Sequence, residues 1–143
     1  MPSKIPLSYS KYGITIMNKE QAQHSFVESF YSNTELARDI ISATEQIAPS
    51  DTPLMITGEI GTGKDRVACL YYAKSHRCDN PLYVINCALL NDKTWNFMIN
   101  HYNSPFTDNE NTIYISNLDV LSPQRQKQLY PLFWTPTCIS ATG

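Results

Sequence analysis

The residues best suited to chemistry form one glycine-rich loop. In chain order it reads Gly58, Glu59, Ile60, Gly61, Thr62, Gly63, Lys64 and Asp65, which matches the pattern GxxxxGK. Glycines at these positions let successive backbone N–H groups converge on an anion, because no Cβ atom blocks the approach of phosphate oxygens. The lysine that follows can reach the β- and γ-phosphates of a nucleotide. The loop therefore predicts nucleotide binding over residues 58–66, ending at Arg66, with a structural glycine turn as the alternative.

A predicted strand precedes this loop and a predicted helix follows it. Residues 53–57 (PLMIT) form a short apolar run, and residues 66–74 place Val67, Leu70 and Tyr71 on one side of a helix. Strand, loop and helix in this order are the context that the motif requires. The positive end of the helix would add to the attraction of Lys64 for phosphate.

The chain from residue 34 onward alternates predicted helices with predicted strands. We expect helices at 34–48, around 95–102 and from Ser122-Pro123 towards Phe133, and strands at 82–86, 112–116 and 138–142. Trp95, Met98, Ile99 and Tyr102 recur at helical spacing, which we interpret as core packing. This alternation predicts an α/β fold with a three-layer parallel sheet and flanking helices. Residues 1–25 are polar and aperiodic and are predicted to be a lead-in or arm, with the core at 26–143.

Composition restricts the classes of partner. The chain has 143 residues and a net charge of −2, so it fits one domain and has no basic field to hold a phosphate backbone. It shows no apolar run of membrane-spanning length and no signal peptide. Its 4 cysteines and 3 histidines lack metal-site spacing. We expect reduced cysteines, a cytoplasmic location, no direct DNA binding and no membrane contact.

Two segments carry a family resemblance. TPLMITGEIGTGKDRVA and SHRCDNPLYVINCALL resemble the ATPase core of the sigma-54 interaction domain of bacterial enhancer-binding transcription activators, a branch of the AAA+ family. The acidic Asp65 and the INCA signature at residues 85–88 fit that branch. The resemblance implies the N-terminal portion of a P-loop NTPase (AAA+-type) core, incomplete at its C-terminus. It also implies ATP or ADP as ligand, Mg²⁺ as a further ligand, and adenine contacts from Phe30 and Tyr31.

The chain departs from that family at the residues used for hydrolysis. The family has an Asp-Glu pair at the end of its Walker B strand, where this sequence has Ser116 and Asn117. Neither residue can remove a proton as a carboxylate does, and losing a general base costs about 10²–10⁴-fold in rate. The resemblance thus predicts weak or absent hydrolysis, with no confident catalytic residue and the metal ligands unknown. An active Mg²⁺-dependent ATPase that uses Asp119, and a scaffold that binds no nucleotide, are the alternatives.

The resemblance also bears on macromolecular partners. The family carries a long excursion with a GAFTGA loop that touches sigma-54, and here only residues 91–111 fill that space, with 103–108 as a remnant. Contact with sigma-54 RNA polymerase by this route is therefore not expected. The sequence stops at Gly143, ahead of the arginine finger, so homo-oligomer contacts are expected only in a longer parent protein.

Overall fold

A five-stranded sheet forms the centre of the molecule. The computed structural model describes residues 13–29, 35–50, 52–57, 64–134 and 136–142. Its strands are β1 (Ile14–Met17), β2 (Leu54–Thr57), β3 (Leu82–Asn86), β4 (Thr112–Ser116) and β5 (Thr137–Thr142). They lie side by side in the order β1-β3-β4-β5-β2. All four strands that the sequence predicts are present.

Strand direction confirms the predicted parallel sheet and adds one strand to it. The pairs β2–β5, β5–β4 and β4–β3 are parallel, as expected for strands joined by helical crossovers. However, β1 pairs antiparallel with β3, with Ile14 opposite Ile85 and Met17 opposite Leu82. The predicted parallel arrangement therefore holds for the four predicted strands, and β1 adds an antiparallel strand at one edge that was not predicted. Because β2 lies between β1 and β3 in the chain, no single helical crossover joins these two neighbouring strands, and a parallel direction is not imposed on them.

Five α-helices accompany the strands over the described ranges. They are α1 (Lys19–Ser29), α2 (Glu35–Ile47), α3 (Lys64–Lys74), α4 (Asp92–Asn100) and α5 (Pro123–Leu129). The side chain of Ser122 accepts a hydrogen bond from the backbone N–H of Arg125, and Pro123 occupies the first turn, as the sequence predicts. The chain continues from α5 as a 3-10 helix over Tyr130–Trp134.

The helices cover the sheet on both faces. One face packs against a cluster that includes Ala22 from α1, and Ala68 and Tyr72 from α3. The other face packs against Trp95 and Met98 from α4, together with Leu129 from α5. Side chains alternate along β4, so that Ile113 and Ile115 join the second cluster whereas Tyr114 joins the first. The predicted three-layer α/β architecture is thus confirmed.

The amino-terminal described residues form a strand and a helix that were not predicted from the sequence. Strand β1 and helix α1 overlap the segment interpreted as an arm at residues 1–25, and both Ile14 and Ala22 are buried. The position of residue 25 falls inside α1. Four residues are too few to show a strand period, and α1 has no regular apolar stripe, so pairing and packing with the rest of the fold establish these elements. The division into an arm and a core stays a prediction.

The prediction that Trp95, Met98, Ile99 and Tyr102 pack in the core from one helix is wrong for Tyr102. Trp95 and Met98 are buried as predicted, and Ile99 is half-buried. Tyr102 lies beyond the end of α4 at Asn100 and is 87% exposed. The helix stops two residues before Tyr102, so the helical repeat does not bring this side chain to the core. Its ring instead stacks on His101, with 4.6 Å between the ring centroids.

Candidate nucleotide-binding site

Strand β2 and helix α3 flank the glycine-rich loop. Strand β2 ends at Thr57 and α3 begins at Lys64, so the strand and the helix predicted on either side of the glycine-rich segment are both present. Among the predicted ligand residues, Lys64, Asp65 and Arg66 belong to the described part of the chain. The others lie outside the described residues: Gly58, Glu59, Ile60, Gly61, Thr62, Gly63, Phe30 and Tyr31.

The carboxyl ends of the four parallel strands meet at the edge from which α3 starts. Thr57 at the end of β2 pairs with Thr142 at the end of β5, and Asn86 at the end of β3 pairs with Ser116 at the end of β4. In parallel α/β sheets this edge is where ligands bind. Three of the four terminal side chains carry a hydroxyl group and the fourth carries an amide, so the strand ends themselves are polar and uncharged. This end of the sheet is called the polar edge below.

Lys64 carries the positive charge to this edge. Its Nζ atom donates a hydrogen bond of 2.7 Å to the backbone carbonyl of Thr142, and the side chain is half-buried. The ammonium group therefore lies at the end of β5, beside the end of β2 from which the loop departs. A phosphate bound there would meet a cation and the amino end of α3 together.

The neighbouring Asp65 makes a second contact with the sheet. Its Oδ1 atom accepts a hydrogen bond of 2.5 Å from the hydroxyl of Tyr114, which lies in the middle of β4. Burial, followed by the hydrogen bond to Asp65, raises the pKa of Tyr114 far above its ordinary value. The phenol therefore stays protonated and remains a donor at neutral pH. Tyr114 was not predicted from the sequence as a site residue, although a tyrosine in a buried strand signals a hidden hydrogen-bond partner.

The two residues in the Walker B position, Ser116 and Asn117, each contact a residue of the neighbouring strand β3. Asn117 adopts a left-handed conformation with φ of 56°, which asparagine tolerates better than most residues. Its Nδ2 atom donates to Oδ1 of Asn86 at 2.8 Å, which links the ends of β4 and β3. The hydroxyl of Ser116 lies 3.5 Å from the carbonyl oxygen of Ile85. Ser116 is the last residue of β4 and Asn117 follows it, so both lie at the polar edge of the sheet.

Asp119 lies in the turn after β4. It belongs to a 3-10 helix at Leu118–Val120 and is exposed. Its charge acts with burial, the larger cause, to raise the pKa of the Cys87 thiol to about 12. The carboxylate thus lies near the residue that follows β3, and not on a strand shared with Asn117.

The donors at this edge suit phosphate better than they suit Mg²⁺. Mg²⁺ prefers carboxylate, phosphate and water oxygens, whereas Ser116 and Asn117 offer a hydroxyl and an amide. The nearby carboxylate of Asp65 is bonded to Tyr114. Within the part of the chain that the structure describes, no group of three or more His, Cys, Asp or Glu residues could hold a metal ion. This donor set does not fit a protein-held magnesium ion.

Together, the sheet order, the strand and helix on either side of the glycine-rich segment, and the position of Lys64 define an α/β fold of the P-loop NTPase type. The chain belongs to the Sigma-54 interaction domain family, which matches residues 30–114. In the described ranges, no helix combines the length and apolar character needed to span a membrane.

Relatives of this chain are transcriptional regulators. The transcriptional regulatory protein ZraR of Klebsiella oxytoca is 34% identical over 98 residues, which cover 61% of this chain and 22% of ZraR. The transcriptional regulatory protein FlbD of Caulobacter vibrioides is 39% identical over 51 residues, covering 36% of this chain and 11% of FlbD. The chain therefore spans less than a quarter of the length of these relatives.

A solved structure shares the fold. The crystal structure of NtrX from Brucella abortus in complex with ATP superposes with a TM-score of 0.72 at 17% sequence identity. The match covers 80% of this chain and 32% of NtrX. At this level of identity, the likeness confirms the architecture of the sheet and its helices.

Proposed function

We propose that this chain is the nucleotide-binding part of a sigma-54-type transcription regulator. It binds ATP or ADP through residues 58–66 and hydrolyses ATP slowly or not at all. The observation that carries this proposal is the position of Lys64, whose ammonium group lies at the carboxyl ends of β5 and β2. NtrX, which shares the fold, has been crystallised with ATP and with ADP, and this supports the choice of ligand.

The contact between Lys64 and Thr142 fits a phosphate-binding role. A backbone carbonyl carries only a partial negative charge, so a phosphate oxygen would be a stronger acceptor for the ammonium group. The positive end of α3 attracts the same anion. Phe30 and Tyr31 remain the proposed adenine contacts.

Slow turnover follows from the chemistry of the Walker B position. Ser116 and Asn117 carry no charge, and Asn117 already donates to Asn86. An amide can orient a water molecule, but it cannot accept its proton during attack on a phosphate. The proposal therefore separates binding, which depends on Lys64 and the loop, from hydrolysis, which lacks its base.

Calorimetric titration with ADP, with and without Mg²⁺, tests the proposal. We expect binding that depends little on Mg²⁺ and that weakens about 30-fold in Lys64→Met, because a charge-assisted bond to phosphate is lost. Lys74→Met is the matched control, since Lys74 lies at the other end of α3 and forms an exposed ion pair with Glu45 at 3.5 Å. Absence of ADP binding by the wild-type chain, or equal affinity of Lys64→Met, would contradict the proposal.

The remaining proposals concern partners and location. The relatives are transcriptional regulators, which supports the proposed cytoplasmic location. We propose that subunit contacts form in a longer parent protein, as the family resemblance implies. Residues 92–107 contain α4 and a 3-10 helix, an arrangement that supports the proposal that no long loop reaches sigma-54 from here. With a net charge of −2, direct DNA binding by this chain is not proposed.

A further inference from the structure

The first two residues of α3 are each bonded to a different strand. Lys64 donates to the backbone of Thr142 in β5, and Asp65 accepts from Tyr114 in β4. These strands are neighbours in the sheet. The start of α3 is therefore held at two points directly after the glycine-rich loop.

The burial and packing of Tyr114 place its hydroxyl against Asp65. The tyrosine is 2% exposed and packs in the cluster beneath α3, which contains Ala68, Cys69 and Tyr72. Its neighbours Ile113 and Ile115 point to the opposite face of the sheet. A phenylalanine could fill the same space, so the hydroxyl adds the single bond to Asp65 and little else to packing.

Asp65 needs such a partner if phosphate binds nearby. Its carboxylate directly follows the phosphate-binding Lys64 in the sequence and would repel a phosphate group of like charge. A phenol that donates to one carboxylate oxygen stabilises part of that charge and fixes the direction of the side chain. The exposed carboxylate would otherwise sample several rotamers.

We propose that Tyr114 and Asp65 are a positioning pair for the nucleotide site. The hydroxyl holds the first turn of α3 over β4 and keeps the Asp65 carboxylate turned towards the sheet, so that its negative charge does not face a phosphate bound at Lys64. The part of this inference that concerns affinity rests on the proposed nucleotide binding. The part that concerns the anchoring of α3 does not.

Two measurements on one set of variants test both parts. The variants are Tyr114→Phe, Asp65→Asn and the double substitution, and hydrogen exchange and ADP calorimetry are applied to each. Tyr72→Phe is the matched control, since Tyr72 is also buried beneath α3 but donates to the carbonyl groups of Cys78 and Asn80 at the other end of the helix. Circular dichroism establishes that each variant is folded.

We expect Tyr114→Phe to speed amide exchange in the first turn of α3 and to weaken ADP binding about fivefold. Tyr72→Phe should leave both quantities unchanged. In the Asp65→Asn background the charge is gone, so the added Tyr114→Phe change should alter ADP affinity by less than about twofold. A merely structural role of the hydroxyl would give the same loss of affinity in both backgrounds.

An unchanged rate of amide exchange in the first turn of α3 of Tyr114→Phe would contradict the proposal that Tyr114 and Asp65 anchor this helix. Faster exchange with unchanged ADP affinity, or an equal loss of affinity in the wild-type and Asp65→Asn backgrounds, would overturn the positioning role. If the wild-type chain bound no ADP, the proposed function would fail, and the exchange data would still decide whether the pair anchors α3.

Discussion

Replacing Lys64 by methionine should change the stability of the free protein as well as its ligand affinity. The substitution keeps an unbranched apolar side chain but removes the hydrogen bond of 2.7 Å from Nζ to the carbonyl of Thr142. A bond from a charged donor contributes about 1.5–3 kcal/mol when shielded, and the half-exposed position of Lys64 reduces this to about 1 kcal/mol. For a chain of this size, the melting temperature should fall by about 4 °C.

The stabilisation by ADP should differ between the wild-type protein and Lys64→Met by more than the stabilities of the two free proteins do. At a free ADP concentration of about 100 times the wild-type Kd, binding stabilises the wild-type protein by about 2.7 kcal/mol, or about 10 °C. If Lys64→Met weakens binding about 30-fold, the same concentration is about 3 times its Kd and stabilises it by about 0.9 kcal/mol, or about 3 °C.

Thermal unfolding followed by circular dichroism, with and without ADP, measures both effects. Lys74→Met controls for the loss of a lysine from α3 and should show the full shift of about 10 °C with ADP. Equal ADP-induced shifts in Lys64→Met and in the wild type would refute the reasoning, whatever the melting temperatures of the free proteins.

Three further predictions concern hydrolysis, packing and alkaline stability. Combined Ser116→Asp and Asn117→Glu should raise phosphate release about 10²–10⁴-fold in the presence of Mg²⁺, and a rate equal to that of the wild type would show that these side chains do not limit turnover. Met98→Ala, at a site 1% exposed, should lower the free energy of unfolding in urea by about 2–5 kcal/mol; a loss below about 1 kcal/mol would contradict the assigned packing. Burial raises the pKa of the Cys87 and Cys138 thiols from 9.0 to about 12, so the free energy of unfolding should fall as pH rises from 9 towards 12, and denaturant midpoints that stay constant over that range would contradict this.

The central strands could be predicted because each is a short apolar run with polar or turn-forming residues beside it. Strands β3 and β4 have the predicted bounds, 82–86 and 112–116. Helix α3 begins at Lys64, near which its start was predicted, because the glycine-rich segment and the apolar spacing after it mark that boundary. Strand β1 could not be predicted, since its four residues become a strand through pairing with β3.

The residue types of the candidate site were readable in the sequence, but their partners were not. The pattern GxxxxGK identifies Lys64, and comparison with the Asp-Glu pair identifies Ser116 and Asn117. The partners come from far along the chain, since Thr142 is 78 residues from Lys64 and Tyr114 is 49 residues from Asp65. Such contacts follow from the order of strands in the sheet, which residue spacing does not encode.

The reversed direction of β1 has a practical consequence for labelling the protein. The backbone N–H of Asn86 donates to the carbonyl of Gly13 at 2.7 Å, so β1 begins at the same edge as the candidate site. Gly13 has φ of +90°, and a Cβ atom there would lie 2.8 Å from the carbonyl oxygen of Asn86, so no larger residue fits without strain. The amino end of β1 thus shares an edge with the candidate site, but β3, β4 and β5 separate it from β2. At about 4.8 Å per strand, a fluorophore at that end of β1 would be about 19 Å from the end of β2, a distance suited to energy transfer to a labelled nucleotide, whereas a parallel β1 would have put the same label at the far end of the sheet.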